Sequence, residues 1–204
     1  MTEENISIFA GELCLEGLLE DLPGDKGVVV THPHPLYGGD MHNNVVEILC
    51  RAYREKGYST LRFNFRGVGQ SEGEYDNGVG EQKDVRAALE YLSGLGKTEI
   101  DLAGYSFGAW VNALGLKRYD LVRRMIMVSP PVGFIDFSFL SYNPKIRLVI
   151  AGTEDDIAGL KGIKKGLPAW NPEADLRVIN GADHFYEGKT DELFRIICHF
   201  LEIK

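Results

Sequence analysis

Apolar residues recur along this chain in two rhythms. Residues 27–31, 60–65, 100–103, 125–128, 148–151 and 176–179 are short runs rich in β-branched side chains. Several have too few polar positions to leave one face wet, the pattern of strands buried on both faces of a parallel sheet. Between them the rhythm changes. Val45, Val46, Leu49 and Tyr53, then Val85, Leu89 and Leu92, then Leu193, Ile196, Ile197, Phe200 and Leu201 follow helical spacing, each set marking one buried face of a helix. Strand and helix in alternation predict an α/β architecture: a doubly wound, mostly parallel sheet with helices on both faces. Ahead of it, residues 6–20 alternate and carry Gly11 and Gly17, which predicts an antiparallel hairpin at the sheet edge. No linker, repeat or low-complexity tract interrupts the pattern, so residues 1–204 are expected to form a single domain.

Composition narrows the class. With 204 residues, 44% hydrophobic and 25% charged, the chain is long enough to bury a full core. A net charge of -8, with no basic cluster interleaved with aromatics, argues against nucleic acid as a partner. The start of the chain is acidic and lacks a basic stretch followed by an apolar run. No segment approaches the roughly 20 apolar residues of a membrane span, and the expectation is a cytoplasmic protein with no membrane partner. Cys14, Cys50 and Cys198 are widely spaced within apolar patterns, which predicts reduced, buried core residues.

In an open parallel sheet, reactive groups gather in the loops after the strands. Gly104-Tyr105-Ser106-Phe107-Gly108 stands where the strand at 100–103 gives way to a helical run, the setting of a nucleophilic serine on a strained strand-to-helix turn. The flanking glycines have a steric reason, since so tight a turn leaves no room for a Cβ. A serine hydroxyl needs a base, and the base needs a carboxylate to hold its tautomer. Strand-end loops supply both, in the chain order Ser106, Asp155, His184. Asp155 is preferred as the acid over Asp156, which is expected to cap a helix starting near Ile157. Asp183, adjacent to His184, reads as a turn residue.

The loop 32–39 has the features of an oxyanion hole. Pro33 and Pro35 lack an N–H, which leaves His34 as one donor and Phe107 as the other. The rival reading of this loop is a metal site built on His32 and His34, with His42 nearby. Arg66-Gly67-Val68-Gly69 lacks the spacing of a phosphate-binding loop and reads as structural, with Asn64 and Arg66 bonding to neighbouring loops. Residues 130–145 are too short for a cap domain. Their Phe134, Phe137, Phe139 and Tyr142, together with Tyr37 and Trp110, are candidates either for the wall of an apolar pocket or for core packing, and Tyr37, Trp110 and Phe134 are the preferred substrate-binding residues.

His-Pro-His-Pro-Leu-Tyr-Gly-Gly at 32–39, Arg-Phe-Asn-Phe-Arg-Gly-Val-Gly-Gln-Ser-Glu-Gly at 62–73, Gly-Tyr-Ser-Phe-Gly at 104–108 and Gly-Ala-Asp-His-Phe at 181–185 resemble the successive signatures of the α/β-hydrolase superfamily. They are closest to a family of small bacterial members similar to dienelactone hydrolases. The resemblance covers nearly the whole chain and implies the α/β-hydrolase fold, a triad of Ser106, Asp155 and His184, and no cofactor or metal. One departure is Asn44, where the resemblance implies lysine. The expected activity is a carboxylesterase-like serine hydrolase acting on a small ester or thioester substrate. A catalytically silent scaffold that binds a partner, or an acyltransferase, are the alternatives.

Overall fold

In the computed structural model, which describes residues 3–203, the N-terminal alternation forms β1 (Glu4–Ala10) and β2 (Leu13–Glu20), an antiparallel hairpin turning at Gly11 with φ 69°. The buried runs become β3 (Lys26–Thr31), β4 (Ser59–Phe63), β5 (Glu99–Tyr105), β6 (Val122–Val128), β7 (Ile146–Gly152) and β8 (Asp175–Ile179). The helices are α1 (Asn44–Glu55), α2 (Glu81–Gly94), α3 (Phe107–Gly115), α4 (Leu160–Trp170) and α5 (Thr190–Ile203). All eight strands join one sheet in the order β1-β2-β4-β3-β5-β6-β7-β8. β2 pairs antiparallel with both β1 and β4, and the other pairs are parallel, so β2 alone runs against the rest.

The sheet divides two apolar layers, and alternate residues of each strand feed opposite ones. Val29 of β3 and Met125 and Met127 of β6 point into the layer that holds Leu89 of α2, Val111 of α3 and Ile163 of α4. Val28, Val30, Ile126 and Val128 point into the other, against Leu49 of α1 and Ile197 of α5. These side chains are fully buried, and burial of each such side chain contributes about 1.5–3 kcal/mol. Helix α1 starts where Asn43 caps it, its side-chain oxygen accepting the Val45 N–H at 2.9 Å.

Three details differ from the sequence reading. No helix begins at Ile157; residues 153–159 form turns and α4 begins at Leu160. The carboxylate that accepts the N–H of Ala158 there is that of Asp155, at 2.8 Å, and not that of Asp156. Of the cysteines, all free, Cys50 is buried but Cys14 and Cys198 are only partly so. Between β6 and β7, residues 129–145 contain neither helix nor strand, so no cap is built there. No helix among the described residues is long and apolar enough to cross a membrane.

Candidate active site

β5 ends at Tyr105 and α3 begins at Phe107, leaving Ser106 alone at the turn with φ 52° and ψ -120°. A non-glycine residue pays a steric penalty in that region and holds it only when its surroundings insist. They do so here through packing behind the turn. A Cβ on Gly104 would come within 2.7 Å of both the Ala109 nitrogen and the Thr31 hydroxyl, and one on Gly108 within 2.7 Å of the Thr31 and His32 carbonyl oxygens. Both glycines are therefore required by close approach, as expected from the sequence. The Ser106 N–H donates to the Val128 carbonyl at 2.9 Å, tying the turn to β6.

The loops after β7 and β8 meet Ser106 from the side. They are laced together by Thr153 N–H to the Ile179 carbonyl and Glu154 N–H to the Ala182 carbonyl, both at 3.0 Å. This lacing brings Asp155 to His184, whose Nδ1 lies 2.8 and 3.0 Å from the two carboxylate oxygens. On its far side His184 Nε2 lies 2.9 Å from Ser106 Oγ. With Nδ1–H donated to Asp155, Nε2 is the acceptor for the serine proton. Burial alone would raise the Asp155 carboxyl, but the hydrogen bond and charge of His184, the Ser129 hydroxyl and the Ala158 amide outweigh it and hold the group below the usual carboxylate range.

Sequence reasoning assigned no bracing role to the residues that hold this chain of bonds in place. Tyr105 donates its hydroxyl to the His184 carbonyl at 2.7 Å, and the buried hydroxyls of Ser129 and Tyr186 bond at 2.8 Å beside Asp155. Burial raises both tyrosine hydroxyls well above their ordinary range, so they remain protonated donors. Asn44 donates from Nδ2 to the Phe185 carbonyl at 3.2 Å, a bond within reach of the shorter side chain that replaces the implied lysine. The partners lie 79, 57 and 141 residues apart, so only their place inside Gly-Tyr-Ser or beside His184 could have drawn attention to them.

His34 and Phe107 stand together over Ser106, with ring centroids 4.6 Å apart, and among the described residues neither backbone N–H donates to a protein acceptor. The His34 ring is held by the Leu36 N–H at 3.2 Å and by the Tyr75 hydroxyl at 3.3 Å. His32, by contrast, is sealed in the core. Its Nε2 accepts the Phe65 N–H at 3.0 Å, so Nδ1 carries the proton and donates to the Pro33 carbonyl at 2.7 Å. With both nitrogens engaged, His32 has no lone pair for a cation, which removes the central ligand of the metal reading. His42 is exposed, and no group of three or more His, Cys, Asp or Glu among the described residues is placed to hold a metal ion.

Ser106 and His184 open on a cleft of about 430 Å³ walled by Tyr37, Phe134, Ile135, Ile157 and Phe185, with His34 and Phe107 at its floor. Tyr37 and Phe134 are among the residues that line the cleft, and one of the three expected there is missing. Trp110 does not line the cleft; its ring is packed on Phe107 and against Gly78 and its Nε1–H is donated to the Asp136 carbonyl at 3.2 Å. Four residues beyond Ser106, it falls one helical turn behind the site. Phe137 is core, stacked near Trp170 and Phe139, and Tyr142 is exposed away from the cleft. Arg66 forms a buried ion pair with Asp84 at 2.7 Å, and Asn64 bridges the Met41 N–H and Glu16, so both act as structural braces. Asp183 accepts the Phe185 N–H within its own turn.

The same architecture occurs in known proteins. A sequence profile described as the alpha/beta hydrolase family matches residues 28–199. An uncharacterized protein of Rickettsia prowazekii is 38% identical over 189 residues, 88% of this chain and 79% of that protein. Among solved structures, an alpha-beta serine hydrolase homologue from Coxiella burnetii is 36% identical, with a TM-score of 0.91 over 98% of both chains. A serine hydrolase without a lid from Xanthomonas campestris is 32% identical, with a TM-score of 0.89, covering 99% of this chain and 94% of the other.

Proposed function

This chain belongs to the alpha/beta hydrolase family, and from that premise we propose that it is a serine hydrolase cleaving a small ester or thioester through an acyl-enzyme on Ser106. The observation that carries the reading is the continuous bonding from Asp155 through His184 to a strained serine that opens on an apolar cleft. In the proposed cycle Ser106 Oγ attacks the substrate carbonyl while His184 Nε2 takes its proton. The N–H groups of His34 and Phe107 receive the developing oxyanion. His184 then returns the proton to the leaving group, and a water activated by the same nitrogen resolves the acyl-enzyme. Asp155, held as a carboxylate, stabilises the imidazolium that forms in each half. Side chains, backbone amides and water suffice for every step.

A fluorophosphonate probe tests the assignment. Wild type should be labelled and Ser106→Ala should not, and kcat on p-nitrophenyl acetate should fall in the variant by on the order of 10^4 to 10^6. Labelling that persists in Ser106→Ala overturns the nucleophile, and a folded wild type that reacts with neither probe nor ester is a binding scaffold instead.

A further inference from the structure

None of the residues lining the cleft is Asp, Glu, Lys or Arg. Most of its polar side-chain atoms are already bonded within the protein: His34 to Leu36 and Tyr75, Tyr105 to the His184 carbonyl, and the Asn43 oxygen to Val45. What remains to meet an acyl group is chiefly carbon. Tyr37 and Phe134, 74% and 63% exposed, face each other at the mouth with ring centroids 6.3 Å apart and planes at 71°. The charged residues that adjoin the walls in sequence, Asp40, Asp136, Asp156 and Asp183, are all acidic.

Building on the serine-hydrolase reading, we propose that the site selects esters and thioesters whose acyl group is uncharged, and that Tyr37 and Phe134 are the residues that grip it. An anionic acyl group entering this cleft sheds water and finds no cation to replace it, since the two free N–H groups at the floor are taken by the reacting oxygen. An apolar group of the same length loses nothing by leaving water and gains contact with the two rings.

The test compares two substrates of equal acyl length, the mono-p-nitrophenyl ester of adipic acid and its methyl ester, with fluorophosphonate labelling measured in parallel. The neutral diester should exceed the anionic monoester in kcat/KM by on the order of 10^2 or more. Phe134→Arg, at a position 63% exposed, should lower the neutral rate and raise the anionic rate by about tenfold through its added charge. Equal rates for the two esters with Ser106 labelled overturn the selectivity and leave the hydrolase reading standing. An anionic rate unmoved in a folded Phe134→Arg removes that residue from the grip. Loss of labelling together with both activities overturns the hydrolase reading and this inference with it.

Discussion

His32 shows how the bonds around one side chain decide its chemistry. In the sequence it stands two residues from His34 and invites a metal; in the fold its ring is a neutral strut between the Phe65 N–H and the Pro33 carbonyl. Burial pushes it down to about 4, against the opposing pull of the Pro33 carbonyl. The unfolded chain therefore binds a proton near pH 6.5 that the folded chain refuses until about pH 4. Stability from this group is complete above the higher value and falls as pH drops between the two, by about 3 kcal/mol in all. Urea unfolding at pH 7, 5.5 and 4 should reveal this as a steeper acid loss in wild type than in His32→Gln, which cannot titrate. Parallel slopes in the two proteins would show that His32 is not the buried neutral group described.

At the level of the element, the strand-to-helix turn depends on the absence of side chains beside Ser106. Gly108→Ala would place a methyl within 2.7 Å of the Thr31 and His32 carbonyl oxygens, an overpacking that costs about 1–3 kcal/mol. It should lower the melting temperature and abolish fluorophosphonate labelling, since the turn can relax only by moving the serine; full labelling at wild-type stability would contradict this. The same local necessity is why the turn was legible in the sequence. Strands buried on both faces were legible as well, because their runs admit few polar residues. Helix α4 was legible only as a helix somewhere after Asp156, its start placed too early, because Gly162, Gly166 and Pro168 blur a pattern that buries only Ile163 and Trp170. Trp110 was misplaced for a different reason, as a short apolar helix such as α3 gives periodicity too little contrast to say which face turns to the cleft. Tyr105, Ser129 and Tyr186 owe their roles to partners in loops far away in sequence, which no local pattern encodes.

The whole molecule sets how much substrate can be enclosed. With no cap between β6 and β7, the cleft is bounded by loops and by two largely exposed rings. Each further acyl methylene adds about 0.8 kcal/mol only while it is buried. Across p-nitrophenyl esters of increasing length, kcat/KM should therefore level off or fall after a short chain, and a steady rise to long-chain esters would require a tunnel instead. The sheet order has a kinetic consequence too. β5, which presents Ser106, lies between β3 and β6, while His184 arrives 78 residues later, by way of a loop after the last strand. Closing contacts so distant in sequence costs loop-closure entropy before they contribute, which slows their formation relative to the local contacts of a helix. In refolding experiments, helical signal should return before probe labelling, and labelling should follow the slowest phase. An immature chain would then carry an ordinary, unreactive serine, and the first turnover would mark the moment its last strand had docked.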